Sequence, residues 1–346
     1  MKKNIENAHE KNILIVESSL GWHSRCLENL FQLFKNEYNL SFLVNYPSTN
    51  KNNRNNDSYG LSGKNIVKSR FFSQIFFVNL IVYGRQYDYI YVSTGPENNR
   101  WSEALNVLAF FVCSLLYGKK MILSLRSAYV YTADSPGLLS FIRNKSVRHI
   151  KRISFETKAI MAAFNSNKSI DSKGYLSGLC HNFYSDLLEK NNSFEPIDTN
   201  RIRIGLLGSV NPLRRDYALL LDVLEKLTLE ERERIELIVL GGMLGEVSDK
   251  ILKNIADYVR VETHTNSWLS QDQFDEKGAT CGLFISNLTE SMRYEDLKGS
   301  GTVGDAIYFG KRVIIPSYID KNKEFNEVSI YYDNFSELLS IFKNIN

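Results

Sequence analysis

Cysteine is scarce in this sequence, with four residues among 346. Cys26, Cys113, Cys180 and Cys281 are widely separated, and no two of them form a C-x-x-C pair. Disulfide scaffolds and cysteine zinc sites need more closely spaced cysteines. We therefore expect neither kind of site, and we expect buried, reduced thiols in a cytoplasmic protein.

Long apolar runs are also missing. Residues 71–83 and 104–117 are apolar but interrupted by polar side chains, and both fall short of the roughly 20 residues that cross a bilayer. They are predicted to be buried helices, with membrane insertion as the alternative. The apolar run 13–16 behind the basic start is too short for a signal peptide, so none is expected.

Several chemical motifs are absent. The sequence has no Asp-x-Asp, no Walker A loop, no serine-nucleophile elbow and no H-E-x-x-H. These absences argue against a metal-chelated nucleotide, P-loop ATP hydrolysis and a zinc protease. We also find no helix-turn-helix, zinc finger or RNP-like strand, so nucleic acid is not an expected partner. No resident metal and no cofactor are expected.

The small net charge of +3 conceals an asymmetry. Residues 1–190 contain 24 Lys and Arg and 14 Asp and Glu, a net charge of +10, whereas residues 191–346 contain 18 and 25, a net charge of −7. A basic front half indicates a surface or polyanion partner for that half.

Short apolar runs alternate with helical patterns, and the alternation restarts after a polar segment at 191–200. The predicted strands are 13–16, 40–44, 89–92, 120–125, 202–207, 235–240, 259–261, 282–285 and 312–315. Strand and helix in alternation predict a doubly wound α/β domain. We therefore expect two Rossmann-like domains, 1–190 and 201–346, that face a cleft.

One loop with the composition of a phosphate site follows the predicted strand 202–207. Its candidate residues are Gly208, Ser209, Arg214 and Arg215. Backbone N–H groups at a helix start favour an anion, and arginines fork onto phosphate oxygens. The alternative is an ordinary helix start whose arginines are solvated or paired with Asp216 or Asp222.

A second such loop precedes a predicted short helix at 305–309. Gly301, Thr302 and Val303 are its candidates for backbone contact with a diphosphate. Asp305 could accept hydrogen bonds from ribose hydroxyls, and its alternative role is a charge at the helix N-terminus. The glycines also fit G-x-G-x-x-G, but too late in the domain for a dinucleotide fingerprint.

The front half offers weaker candidates. His23 follows the first predicted strand and could act as a base or donor, or could be structural. Glu103 is a second candidate base. Trp22 and Arg126 are candidates for the acceptor side, although residues at strand ends also serve as caps.

The back half resembles, over about residues 200–316, the donor domain of GT-B-fold glycosyltransferases. The resemblance rests on the Gly-Ser turn with its arginines, on Leu237 to Gly242 after the next strand, and on Ser300 to Pro316. It is similar to family 4-like donor domains of bacterial enzymes that build capsule, lipopolysaccharide O-antigen or other exopolysaccharide. The E-x7-E pair of the large retaining family is missing, so the stereochemical course stays open.

The resemblance implies roles for the candidates. Arg214, Arg215 and the N–H groups of Gly301, Thr302 and Val303 would hold a sugar-nucleotide diphosphate, and Asp305 would hold the ribose. The predicted function is metal-independent glycosyl transfer from a nucleotide-sugar donor to a saccharide or lipid-linked acceptor. An inverting reaction would take its base from His23 or Glu103. A sugar-nucleotide epimerase of the same fold and a non-catalytic nucleotide- or polyanion-binding protein are the alternatives.

A basic run suggests how a lipid-linked acceptor would be reached. Its members are Phe141, Arg143, Lys145, Arg148, Lys151, Arg152 and Lys158. Such a run is attracted to an anionic leaflet, and its alternative is a solvated helix face. We therefore expect a cytoplasmic protein that is peripheral at the inner face of the cell membrane.

Overall fold

A computed structural model describes most of the chain. The described residues are 11–18, 24–45, 65–67, 75–96, 101–125, 128–131, 137–155, 157–166, 176–179, 201–265, 268–290 and 300–345. The chain divides into two compact units, unit 1 with Met1–Asn182 and Leu297–Gly299, and unit 2 with Phe183–Asp296 and Ser300–Asn346. Each unit contains one parallel sheet with helices, as predicted for two Rossmann-like α/β domains.

The sheet of unit 1 is built from short apolar runs. Its strands are β1 (Lys11–Glu17), β2 (Tyr38–Val44), β3 (Tyr89–Thr94), β4 (Met121–Leu125), β5 (Arg152–Phe155) and β6 (Leu176–Leu179). Their order is β2-β1-β3-β4-β5-β6, and all neighbours are parallel. Runs of this kind form strands because a parallel sheet is buried on both faces.

The helices of unit 1 are α1 (Ser24–Phe34), α2 (Val78–Tyr83), α3 (Ala104–Tyr117), α4 (Leu138–Val147) and α5 (Lys158–Ser166). Helix α3 has the predicted bounds. Helix α2 is shorter than predicted, since residues 75–77 form a turn before it and 71–74 lie outside the described residues. None of the described helices is both long and apolar enough to cross a membrane.

The predicted basic run is not a uniform surface. The side chain of Arg143 is fully buried in unit 1, whereas Arg148, Lys151 and Lys158 are exposed. Arg143 therefore cannot belong to a solvated face or meet a membrane, and this part of the prediction is wrong. A strand starts at Arg152 instead of the run continuing as one helix.

The sheet of unit 2 has the strands β7 (Ile202–Leu206), β8 (Ile235–Val239), β9 (Arg260–Glu262), β10 (Leu283–Ile285), β11 (Val313–Pro316) and β12 (Ser329–Tyr332). Their order is β12-β11-β10-β7-β8-β9, again fully parallel. The chain starts at β7, builds out through β8 to β9, and then crosses to β10 on the other side of β7. In open α/β sheets such a reversal of strand order opens a crevice at the carboxyl ends of the two central strands.

The helices of unit 2 are α6 (Tyr217–Lys226), α7 (Leu229–Glu233), α8 (Glu246–Ala256), α9 (Gln271–Ala279), α10 (Gly301–Phe309) and α11 (Phe335–Asn344). Helix α10 begins four residues before the predicted start at Asp305, because Ser300 caps it. Polar caps also begin α6 at Asp216, α7 at Thr228 and α9 at Ser270.

A ladder of charges joins three strands of unit 2. Arg203, Glu236 and Arg260 are register partners on β7, β8 and β9. Nε of Arg203 lies 3.2 Å from Oε2 of Glu236, and Nε of Arg260 lies 3.0 Å from Oε1 of the same carboxylate. Arg203 also pairs with Glu262, which pairs in turn with Lys277 of α9. The ladder fixes the edge strand β9 to the centre of the sheet.

Candidate functional site

The loop after β7 is shaped by two glycines. Gly208 has a φ of 76°, in the left-handed region that favours glycine. A Cβ at Gly208 would collide with the guanidinium of Arg215, and a Cβ at Gly241 would collide with the carbonyl of Gly208. The loops after β7 and β8 therefore approach each other at a distance that only glycine permits.

Arg215 lies inside this loop. It is 4% exposed, its Nε donates to the carbonyl of Ser209 at 3.1 Å, and its Nη1 donates to Oγ of Ser286 at 2.8 Å. Arg215 thus fastens the loop after β7 to the residue that follows β10. Because two of its donor groups are used within the chain, its predicted part in diphosphate binding stays a prediction.

Arg214 has a different environment. Its side chain is only half-buried, while its backbone N–H donates to Asn211 at 3.0 Å and its carbonyl accepts from Thr289 N–H at 3.0 Å. The backbone is thereby held on both sides. Arg214 is therefore the more exposed arginine of the pair, and its predicted part in diphosphate binding stays a prediction.

Asp216 continues the same connection. Its N–H donates to the carbonyl of Asn287 at 2.7 Å, and Nδ2 of Asn287 donates back to the carbonyl of Asp216 at 2.7 Å. Its carboxylate accepts from Leu219 N–H at 2.9 Å and so caps α6. Burial raises the pKa of the neighbouring Tyr217 to about 12, and this effect is larger than the opposite effect of the Arg215 charge.

The N-terminus of α10 forms the second predicted loop. Oγ of Ser300 accepts from Thr302 N–H at 3.4 Å and lies 2.8 Å from Oγ1 of Thr302. Thr302 and Val303 are buried, whereas Gly301 is exposed, and a Cβ at Gly301 would meet no atom within 4 Å. The first N–H groups of a helix have no backbone acceptor within it, and Oγ of Ser300 already accepts from that of Thr302.

Asp305 lies one full turn inside α10, since the helix begins at Gly301. No acidic residue is in the first turn of this helix. The alternative interpretation of Asp305 as a charge at the helix N-terminus is therefore wrong. Its ribose-binding role remains a prediction.

The two loops lie at one edge of the sheet. Leu207 at the end of β7, Leu240 at the end of β8 and Leu288 beyond β10 share one buried cluster with Val303 of α10. Since the strands are parallel, the loops after β7, β8 and β10 all leave the carboxyl edge. The Arg214 loop and the helix α10 thus belong to the same side of unit 2, and their joint binding of a diphosphate stays a prediction.

An open cavity of about 490 Å³ lies at the same edge, and the sequence analysis missed it. It is lined from the loop after β8, from one face of α8 and from the end of β9. The lining residues are Met243, Gly245, Asp249, Leu252, Lys253, Ala256, Val261, Thr263, His264 and Thr265. Five of these ten residues have polar side chains.

His264 and Trp268 hold the glycines next to this cavity. Nε2 of His264 lies 2.8 Å from the carbonyl of Gly241 and must donate to it, since a carbonyl only accepts. The other ring nitrogen, Nδ1, is buried and has no hydrogen-bond partner in the described part of the chain. The ring of Trp268 packs where a Cβ of Gly242 would lie. The Gly-Gly pair was visible in the sequence, but its partners come from beyond β9.

Unit 1 contains one predicted candidate that is described. Glu103 is half-buried at the start of α3, and its Oε2 accepts from Nδ2 of Asn106 at 3.4 Å. Asn106 in turn accepts from Phe77 N–H at 3.0 Å. Glu103 is thus held by a buried side chain, and its catalytic role stays a prediction. Trp22, His23 and Arg126 lie outside the described residues.

Glu17, which was not among the predicted site residues, ends β1 at the carboxyl edge of the sheet of unit 1. Its carboxylate is fully buried and accepts from Oγ of Ser93 at 2.6 Å and from Oγ1 of Thr94 at 3.1 Å. These hydrogen bonds join the ends of β1 and β3. A Glu that ends an apolar strand is the only sequence signal for this arrangement.

The described residues hold no group of three or more His, Cys, Asp or Glu that could bind a metal ion. Cys113 and Cys281, the cysteines whose side chains are described, are free and buried. Burial raises the pKa of each thiol to about 12, so both stay protonated at neutral pH.

No protein-family model and no curated protein matches this chain. Several solved structures are similar to it. A glycosyltransferase from Rickettsia africae ESF-5 is 11% identical with a TM-score of 0.64. The alignment covers 97% of this chain and 88% of the Rickettsia chain. Anabaena Alr3699/HepE in complex with UDP is 13% identical with a TM-score of 0.60. The alignment covers 96% of this chain and 89% of the Anabaena chain.

An alpha-glucosyltransferase in complex with UDP and a 13-mer DNA is 10% identical with a TM-score of 0.63, and covers 97% of this chain and 90% of its own. At this level of identity the likeness shows the fold. The chain therefore has the GT-B fold of glycosyltransferases, built from two parallel-sheet α/β domains.

Proposed function

We propose that this protein is a glycosyltransferase that moves a sugar from a nucleotide-activated donor to a saccharide acceptor. The observation that carries the proposal is the edge of the sheet in unit 2. There, at the reversal of strand order, the chain gathers the Arg214 loop, the start of α10 and an open cavity. The GT-B fold, and the UDP present in several structures of similar fold, support a nucleotide sugar as the donor.

The diphosphate lies between Arg214 and the start of α10 in this proposal. Arg214 supplies the charge, and the N–H groups of Gly301, Thr302 and Val303 supply hydrogen bonds at the positive end of the helix dipole. Gly208 and Ser209 bring backbone close to the anion, and Arg215 keeps their loop in place from beneath. Asp305 accepts from the ribose hydroxyls.

The nucleoside end of the donor occupies the cavity beside β9. Its volume of about 490 Å³ lies in the range of small-molecule sites. Nε2 of His264 donates to the carbonyl of Gly241, which orients the ring at the wall of this cavity. Thr263 and Thr265 add hydroxyl groups to the same wall.

Transfer makes the nucleotide diphosphate a leaving group, and negative charge grows on it. Arg214 and the N–H dipoles of α10 neutralise this charge without a resident metal ion. An inverting reaction needs a base on the acceptor side, for which His23 and Glu103 are the candidates, while Trp22 and Arg126 are the candidates for acceptor binding. A retaining reaction needs no such base.

The acceptor in this proposal is a saccharide or a lipid-linked saccharide of a bacterial surface polysaccharide, at the inner face of the cell membrane. The net charge of +10 on residues 1–190 supports a role for this half at an anionic surface.

The test uses Arg214 alone, because substitution of the buried Arg215 would also disturb the fold. The purified protein is incubated with a panel of sugar nucleotides, and nucleotide diphosphate release and sugar transfer are measured. Arg214→Ala is expected to lower turnover of the accepted donor by about 100-fold, with Arg214→Lys intermediate. Epimerised donor would establish the epimerase alternative, and the absence of chemistry with every donor would leave a binding protein.

A further inference from the structure

The outer face of α3 is apolar and exposed. Five of its aliphatic side chains are between 39% and 61% exposed, namely Leu105, Leu108, Val112, Leu115 and Leu116. At 100° per residue these positions fall within an arc of about 100° on one side of the helix. The opposite side is core, where Val107, Phe110 and Cys113 are fully buried. A helix that is apolar on both sides is expected to bury its outer side against an apolar partner as well as its inner side against the core.

Helix α4, which contacts α3, has two exposed apolar side chains of its own. Leu138 is 58% exposed and Phe141 is 59% exposed. The helices pack side by side, with the ring of His149 5.8 Å from Phe111 and Lys151 N–H donating to the carbonyl of Gly118 at 3.0 Å. We define the α3–α4 apolar surface as Leu105, Leu108, Val112, Leu115, Leu116, Leu138 and Phe141. These are half of the large exposed apolar side chains in the described part of the chain.

The charges at the C-terminal ends of the two helices are basic, while the half-buried Glu103 precedes the start of α3. Neither α3 nor α4 contains an acidic residue. Exposed Lys119, Arg148 and Lys151 lie where the two helices end, and Nζ of Lys145 lies 5.2 Å from the ring centroid of Phe141. An apolar face with a cationic rim complements an anionic surface that has an apolar interior.

The composition also distinguishes a bilayer from a protein partner. Protein interfaces concentrate their binding energy in Trp, Tyr and Arg, whereas Leu and Val are under-represented among the residues that dominate it. The α3–α4 apolar surface has five leucines, one valine and one phenylalanine. Aliphatic side chains without polar groups have a favourable transfer free energy from water into acyl chains, and this transfer does not require shape complementarity.

We propose that the α3–α4 apolar surface docks unit 1 onto an anionic lipid bilayer. Helix α3 lies in the plane of the membrane, since its 14 residues span about 21 Å and its inner face belongs to the core of unit 1. The leucines enter the boundary between headgroups and acyl chains, and Arg148 and Lys151 meet the phosphates. The inference rests on the proposed function in one respect, since docking would give the enzyme access to a lipid-linked acceptor.

Vesicle binding tests the surface without any sugar transfer, so this proposal and the proposed function fail separately. The full chain is sedimented with phosphatidylcholine vesicles that contain or lack phosphatidylglycerol. Wild-type protein is expected to bind the anionic vesicles, and Leu108→Gln/Leu115→Gln/Leu116→Gln to bind at least about tenfold more weakly. Arg148→Gln/Lys151→Gln is expected to lose the preference for anionic vesicles.

Leu229→Gln/Val247→Gln is the matched control, since these side chains of unit 2 are 71% and 50% exposed. It is expected to bind like wild type. Equal binding by the triple variant, or an equal loss in the control, overturns the proposal. So does a wild-type dimer that the triple variant dissociates while neither protein binds vesicles, because the surface is then an interface between copies.

A second test uses single tryptophan variants, so it does not depend on the folding of the triple variant. Tryptophan fluorescence of Leu115→Trp is compared with that of Leu229→Trp as anionic vesicles with brominated acyl chains are added. The signal of the tryptophan added on α3 is expected to be quenched and that of the control unchanged. Equal responses of the two variants overturn the proposal.

Discussion

The guanidinium of Arg215 occupies the space that a side chain at Gly208 would fill. The left-handed backbone at Gly208 and the buried side chain seven residues later are therefore one structural unit. This unit positions the loop that carries Arg214 at the edge of the sheet.

Gly208→Ala is expected to destabilise the protein by about 2 kcal/mol or more, because a methyl group there must displace Arg215 and adopt a left-handed φ. Chemical denaturation monitored by circular dichroism measures the change. Gly301→Ala is the control, since its Cβ would meet no atom and Gly301 is helical. Equal stabilities of the two variants would contradict the role assigned to Gly208.

The two arginines are expected to separate in their effects. Arg215→Ala leaves Ser286 and the Ser209 carbonyl without their donor and is expected to cost about 2–4 kcal/mol of unfolding free energy. Arg214→Ala is expected to cost less than about 1 kcal/mol. Denaturant unfolding of both variants checks this order, and the reverse order would show that Arg214 is the structural residue.

Acid is expected to loosen the charge ladder. Burial raises the pKa of Glu262, but the hydrogen bonds and charges of Lys277 and Arg203 outweigh it and hold the pKa below its ordinary value. A carboxyl whose pKa is lowered by folding stabilises the protein above its unfolded pKa, and that contribution is lost as pH falls through the folded pKa. The window therefore lies below about pH 5.

Thermal unfolding between pH 6 and pH 3 measures this effect. Glu262→Gln is expected to reduce the loss of melting temperature across that range, while the exposed Glu225→Gln keeps the wild-type slope. Because Glu262 is one-third exposed, solvent weakens the effect and the change in slope is expected to be small. If the melting temperature of Glu262→Gln falls with pH as steeply as that of the wild type, Glu262 does not contribute to the acid sensitivity.

Alkali is expected to act through the buried thiols. Folding raises the pKa of Cys113 and Cys281, so their contribution to stability is present below the unfolded pKa of about 9 and is lost as pH rises towards 12. In a Cys26→Ser/Cys180→Ser background, a thiol reagent at pH 8 is expected to label neither cysteine until denaturant is added. Rapid labelling of the native protein would show that these thiols are accessible.

Much of the fold could be predicted because its strands are short apolar runs that parallel sheets bury on both faces. Helix α3 was predicted at its observed bounds, since an apolar segment ends at Gly118. Several elements were missed, namely the strands β5, β6 and β12 and the helices α4, α5, α7, α9 and α11. Polar residues interrupt their patterns, and α9 is stabilised largely by its Ser270 cap and by contacts with β9.

The edge of the sheet that carries the candidate loops could be predicted, but their geometry could not. Loops that follow parallel strands leave the same edge of the sheet whatever their composition. The burial of Arg215 depends on Ser286, and that of Arg143 on the packing of α4, and no local pattern encodes either. His264 lacked any signal, because its partner Gly241 lies 23 residues away.

The crossing of the chain from β9 to β10 has a consequence for biosynthesis. Arg215 emerges from the ribosome 71 residues before its partner Ser286, a delay of about 4–14 s at ordinary elongation rates. Until then β7 lacks its neighbour on one side, and the guanidinium has no Ser286 hydroxyl to bind. A nascent chain that stops between β9 and β10 thus exposes an open sheet edge and is a natural substrate for chaperones.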